Sequence, residues 1–380
     1  MAFRRSVLLL LCAVAAFQAG CRYTGTCVEQ PFPGLKDELI QANTNGGRLR
    51  LLIVHGMTSH TQGYASNFVD TIGRKLKLGT PVRQIQTFTN TEGATNGFLT
   101  RIDFTNENRN LRAYELTWSP VTQLEKSNRF EFDSRLDKRR AVLNRRMKSE
   151  LLNDGFGDAV LYLNENFKSK IQAPVTNAIF SILGDGFAPN DQFIIITHSL
   201  GSKITFDSLN ILAERLRRED RQQAAAMTNL ALHTTYLIML ANQVPLLRLG
   251  DTNVLENTEG RPSGVQQFLQ MRQQGTEQRG PEHPSASSPF LQVIAVTDPN
   301  DLLSYPLRGG DLFSHSIENI EFGNVLICNA PVYLHWVANP LKAHEGYFDN
   351  PKLIKLLLKG SRTTPKSCIK EPVPTKDDSE

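Results

Sequence analysis

Phe193-Ile194-Ile195-Ile196-Thr197-His198-Ser199-Leu200-Gly201-Ser202 is the stretch on which the fold turns. Its apolar residues are rich in β-branching and read as a buried strand. A tight Thr-His-Ser-Leu-Gly turn follows. From Lys203 to Arg218 the apolar residues Ile204, Leu209, Leu212 and Leu216 fall near helical spacing. Strand, sharp turn and helix put a hydroxyl at the end of a sheet, beside the free N–H groups of a helix start.

Other apolar runs extend the same pattern outward. Leu49 to Val54, Arg83 to Phe88, Leu111 to Leu116, Thr235 to Leu240, Phe290 to Val296 and Val325 to Cys328 read as strands. Helical segments alternate with them, which argues for an α/β protein with a mostly parallel sheet and helices on both faces. Between Pro120 and Pro189 the chain is charged and helical, an insertion at about 120–190 ahead of the Ser199 strand. There Leu136, Leu143, Met147 and Leu151 suggest one apolar helix face. Arg135, Lys138, Arg139, Arg140, Arg145, Arg146 and Lys148 suggest a basic one. Such a face is either solvated or set against anionic head groups. Residues 251–289 are polar and read as a long surface loop.

The turn resembles the nucleophile elbow of the α/β-hydrolase superfamily of serine lipases and esterases, G-x-S-x-G. Gly201 fits; Thr197 stands where the first Gly is expected. The resemblance implies an α/β-hydrolase fold, with the partners of the Ser in the order acid, then His. Asp301, in Asp301-Leu302-Leu303-Ser304-Tyr305-Pro306, resembles the family's acid, and Asp298, closer to the strand, is the competing carboxylate. His344, in Lys342-Ala343-His344-Glu345-Gly346-Tyr347, resembles its base, with His335 in reserve. His55-Gly56-Met57 after an early strand resembles the oxyanion loop, which assigns the N–H groups of Met57 and Leu200 to the oxyanion. His55 itself is then a packed residue under its own loop, and His198 lines the turn. A more distant similarity, to the stretch before the active Ser of DDHD-type intracellular phospholipases, rests on Asp158-x-x-x-Tyr162, a helix, His198-Ser199-Leu200-Gly201-Ser202 and Asp207. The implied activity is cleavage of carboxylic esters, lipid esters among them, through a Ser-His-Asp acyl-enzyme.

Residues 1–20 read as a signal peptide. Arg4 and Arg5 precede an apolar core from Val7 to Phe17, too short to span a bilayer, which needs about 20 residues. Gln18-Ala19-Gly20-Cys21 resembles the lipobox of bacterial lipoproteins, which implies acylation of Cys21 and anchoring to the bacterial envelope membrane, facing the periplasm. The alternative is secretion, with Cys21 free or in a disulfide. Residues 21–47 then read as a tether, 48–360 as the hydrolase domain and 361–380 as a disordered tail. The chain of 380 residues holds five Cys. A Cys27–Cys368 link would join the two ends of the domain, though spacing alone does not decide pairing. Cys328 lies in an apolar run as a small hydrophobe.

Composition narrows the function classes. A hydrophobic share of 40%, a charged share of 21% and a formal net charge of +4 fit a globular body without the basic excess of a nucleic-acid binder. No H-E-x-x-H, paired C-x-x-C, P-loop or G-x-G-x-x-G after a strand is present, so neither metal nor cofactor is expected. The expected partners are an ester or lipid substrate and the membrane that holds the anchor. Two rivals share the scaffold. One is a non-catalytic envelope lipoprotein used for binding, suggested by Thr197. The other is an assembly factor that docks through the basic insertion.

Overall fold

A computed structural model describes residues 26–44, 46–106, 109–219, 221–247, 265–279, 291–308, 319–333, 337–364 and 367–369. It is a mixed α/β structure. The sheet strands, in chain order, are β1 (Cys27–Val28), β3 (Leu49–Val54), β4 (Val82–Thr89), β5 (Thr95–Asn106), β6 (Arg109–Thr117), β7 (Gln192–His198), β8 (Thr234–Leu240), β9 (Leu291–Thr297) and β10 (Ile320–Leu326); the short β2 (Phe32–Pro33) lies outside it. The spatial order is β1-β10-β9-β8-β7-β3-β6-β5-β4. Strands β6, β3, β7, β8, β9 and β10 run parallel, while β4, β5 and β1 are antiparallel to their neighbours.

The central strands β3, β7 and β8 are buried at every residue, as a parallel sheet covered on both faces requires. Alternation within a strand divides the core into two layers. Leu52, Ile195, Leu237 and Val293 face one layer with Ile171, Val175, Leu209 and Phe268. Leu51, Ile53, Ile194, Ile196 and Ile238 face the other with Phe68, Ile72, Leu353 and Leu357. The Ser199 strand therefore lies near the middle of the sheet, with helices packed against both sides.

Several sequence expectations are corrected. The tether is not all tether: β1 pairs with β10, and the helix Leu35–Thr44 buries Leu35, Leu39 and Ala42 against the body. Residues 251–289 are not all loop, because Gln266–Arg279 is a helix that buries Phe268, Leu269 and Met271. The apolar face expected at Leu136 and Leu143 does not form. After the helix Pro120–Ser134 come a short 3-10 turn, an extended Arg140, a five-residue helix and a π-helix, Met147–Phe156. Leu136 and Leu143 end up exposed. The basic face is partly neutralised as well: Arg140 pairs with Asp133 and Asp137, and Arg146 with Glu150. Finally, the tail is tied down at Cys368, which is disulfide-bonded to Cys27. Cys328 is half-buried and disulfide-bonded as well, not merely a small hydrophobe. Strand β5 has no counterpart in the expected strands; it pairs with β4 through a turn at Gly93, whose φ is +79°.

Candidate active site

Ser199 follows the last residue of β7 and precedes the helix Leu200–Glu219. Its φ is +53°, a left-handed conformation that non-glycine residues rarely adopt. Tight packing enforces this turn. A Cβ on Gly201 would stand 2.3 Å from the His55 carbonyl oxygen, and one on Gly56 would stand 2.4 Å from Ser199 Cβ. Those two glycines let the end of β3 and the turn after β7 touch backbone to backbone. Thr197 is accommodated without a glycine, because its hydroxyl lies 2.8 Å from Ser202 Oγ and donates to the Ile238 carbonyl at 3.3 Å.

Three side chains from distant parts of the chain meet here. His344 Nε2 lies 3.0 Å from Ser199 Oγ. His344 Nδ1 lies 2.9 and 3.0 Å from the two carboxylate oxygens of Asp301. A carboxylate on Nδ1 fixes the tautomer that leaves Nε2 free to accept the Ser199 proton. Burial pulls the His344 pKa down, but the hydrogen bond and charge of Asp301 outweigh it, and the net shift is upward. Asp301 also accepts from Leu303 N–H at 3.0 Å and from the Tyr347 hydroxyl at 3.1 Å.

Of the two candidate acids, geometry selects Asp301. Asp298 is engaged elsewhere: its carboxylate accepts from Asn300 N–H at 2.8 Å, Asn329 N–H at 2.6 Å and Ala330 N–H at 3.3 Å. It ties the loop after β9 to the loop after β10. A turn, Asp301 N–H to the Asp298 carbonyl at 2.9 Å, then brings Asp301 round to the imidazole. His335 and Cys21 lie outside the described residues.

His55 is the packed residue expected. Its Nε2 accepts from Trp118 N–H at 3.0 Å, so its proton sits on Nδ1 and is donated to the Gly56 carbonyl at 2.8 Å. Burial holds its pKa well below the usual value, so it stays neutral. His198 does more than line the turn. Its Nε2 lies 2.9 Å from the His344 carbonyl and secures the backbone of the residue that carries the imidazole. Met57 is buried in the loop after β3. Leu200 is the first residue of its helix, where an N–H has no acceptor within the helix.

A groove of about 970 Å³ reaches this cluster at His344. Met57 and Leu151 line it together with Arg146, Glu150, Lys342 and Asp349. Ser199 itself is fully buried. Among the described residues no group of His, Cys, Asp and Glu side chains is placed to hold a metal ion, and no helix is long and apolar enough to cross a membrane.

Tyr347 escaped the sequence reading as a functional group. Besides donating to Asp301, its oxygen accepts from Asp298 N–H at 2.8 Å. Tyr347→Phe removes both bonds inside a buried site. At about 1 kcal/mol for a lost hydrogen bond, any turnover that runs through the Ser199–His344–Asp301 cluster is expected to slow about 3- to 10-fold. Steady-state kinetics with the folded variant check this; an unchanged kcat would show that Asp301 needs no third donor.

Compared with protein-family models, curated proteins and solved structures, the chain gives no match in any of the three.

Proposed function

We propose that the protein is a serine hydrolase of α/β-hydrolase type that cleaves carboxylic esters. One observation carries this: the unbroken chain from Ser199 Oγ to His344 Nε2 at 3.0 Å and from His344 Nδ1 to Asp301 at 2.9 Å, built on a left-handed serine at the end of a central parallel strand. Ser199 Oγ attacks the ester carbonyl while His344 Nε2 takes its proton. The carbonyl electron pair moves onto oxygen, where the N–H groups of Met57 and Leu200 hold it. Collapse expels the alcohol, protonated by His344, and leaves an acyl-Ser199. Water then enters, is deprotonated by the same imidazole, and releases the acid. Asp301 keeps the imidazole oriented and balances its positive charge throughout.

The groove is lined by Met57, Leu151 and Leu341 beside Arg146, Glu150, Lys342 and Asp349, so both apolar and charged groups meet a substrate there. Location is a further part of the proposal. A signal at residues 1–20 and a lipid on Cys21 would anchor the enzyme at the bacterial envelope, and the Cys27–Cys368 disulfide suits an oxidising compartment. With Cys27 paired to Cys368 and residues 1–20 removed, Cys21 is the one thiol left in the chain for the Cys328 disulfide, so acylation of Cys21 and that disulfide exclude each other, and the mass of the mature N-terminal peptide separates the two.

A fluorophosphonate tests the reaction. The wild type is expected to be labelled at Ser199 and to cleave p-nitrophenyl esters, and the Ser199→Ala variant to stay unlabelled. Failure to label the folded wild type would leave a non-catalytic binding scaffold in its place.

A further inference from the structure

The helical insertion reaches into the loop that follows β3. Lys126, on the helix Pro120–Ser134, is buried, and its ammonium stands 2.7 Å from Asp158 Oδ1. The same ammonium donates to the carboxylate of Asp154 and, at 3.2 Å, to the Asp154 carbonyl. Each carboxylate then holds one residue of the loop. Asp158 Oδ2 accepts from Thr58 N–H at 2.9 Å. Asp154 accepts from Ser59 N–H at 2.8 Å and from the Ser59 hydroxyl at 2.9 Å. Thr58 and Ser59 directly follow Met57.

This bracing has something to hold. Thr58 has φ +80°, a left-handed conformation that is strained for a β-branched side chain. Strain of this kind persists only where the surroundings over-determine it. Gly155 closes over the same place: a Cβ placed on it would lie 3.7 Å from Thr58 Cγ2 and 3.9 Å from Met57 Cβ. Burial would raise the Asp154 carboxyl, but hydrogen bonds from Lys126 and Ser59 bring it below the usual range, which keeps it ionised and accepting.

We propose that Lys126, Asp154 and Asp158 are positioning residues for ester hydrolysis, holding the strained Met57–Ser59 backbone so that the Met57 N–H meets the developing oxyanion. This rests on the serine-hydrolase reading given above. None of the three touches the Ser199–His344–Asp301 chain; they act through the loop. The insertion is then part of the catalytic framework.

The test uses the mature full-length chain with Asp158→Asn, Asp154→Ala, Lys126→Met and Lys126→Arg. Removing one oxyanion donor costs about 10²- to 10³-fold in kcat. Loosening one is therefore expected to cost about 10- to 100-fold in kcat for p-nitrophenyl butyrate, with KM within about 3-fold. A trifluoromethyl ketone, which Ser199 converts to an anionic hemiketal, should lose affinity in proportion to the loss in kcat/KM. Lys126→Arg should recover most of the rate. The side chain of Asp154 is 29% exposed, so Asp154→Ala is the variant to rely on if the buried substitutions fail to fold. A folded Asp154→Ala protein with wild-type kcat would overturn the proposal. So would a loss confined to KM, or a fall in kcat with no weakening of the ketone. A wild type that neither labels with fluorophosphonate nor cleaves esters would fail one step earlier, at Ser199, and would take this inference with it.

Discussion

Ester cleavage by the Ser199→Ala variant is expected to fall by on the order of 10⁴- to 10⁶-fold, because the proposed mechanism forms its acyl intermediate on the Ser199 hydroxyl. His344→Ala should cost a similar factor. A serine hydroxyl is a weak nucleophile at neutral pH unless a base takes its proton, and His344 is the only described side chain hydrogen-bonded to that oxygen. The double variant should be no slower than either single one, since the two residues act as one unit. Folding should survive the serine change. The backbone bond from Ser199 N–H to the Leu240 carbonyl at 2.8 Å does not depend on the hydroxyl. Initial rates with p-nitrophenyl butyrate, alongside thermal melts, check both points. A Ser199→Ala rate within 10-fold of wild type would place the chemistry elsewhere.

Much of this framework was legible in the sequence, because the physics that forms it is local. Strands buried on both faces tend to be continuous apolar runs, and Leu51–Val54 and Phe193–Ile196 are such runs. An Asn followed by Pro is a local helix-start signal, and the Asn350 side chain accepts from Lys352 N–H and Leu353 N–H. Strand β5 was harder to see. Its apolar residues are interrupted by Asn96, Thr100, Arg101 and Asp103, and only the turn at Gly93 betrays the hairpin. The choice between Asp298 and Asp301 was open because both sit in one turn, three residues apart. Only the path of the chain decides which carboxylate meets the imidazole. The brace at Lys126, Asp154 and Asp158 was hidden for a different reason. Its contacts with residues 58 and 59 span 95 and 100 positions, and in sequence its members are three charges in a charged helical stretch. Thr197 misled in the opposite sense: where a glycine was expected, a buried hydroxyl pair with Ser202 fills the space.

The second large effect concerns the acid. Asp301→Asn is expected to lower kcat by about 10⁴-fold, the scale seen when the acid of such a triad becomes an amide. An amide can present N–H to Nδ1, which would move the imidazole proton to Nε2 and leave nothing there to accept the Ser199 hydrogen. The pH profile should shift as well, and its direction follows from the charges. In the proposed mechanism neutral His344 is the base, so activity should rise with pH as the imidazolium loses its proton. In the wild type, burial lowers this pKa but the Asp301 hydrogen bond and charge more than compensate, which puts the inflection above 6.5, the ordinary histidine value. With Asn at 301 the charge is gone and burial dominates, so the inflection should move to lower pH while the plateau drops. Asp298→Asn is the control. Asp298 receives backbone N–H groups of residues 300, 329 and 330, so its loss should lower the melting temperature and leave the inflection near its wild-type position. If instead Asp298→Asn moved the inflection and Asp301→Asn did not, the carboxylate that supports His344 during turnover would be the other one. The loop after β9 would then have to rearrange before the enzyme works.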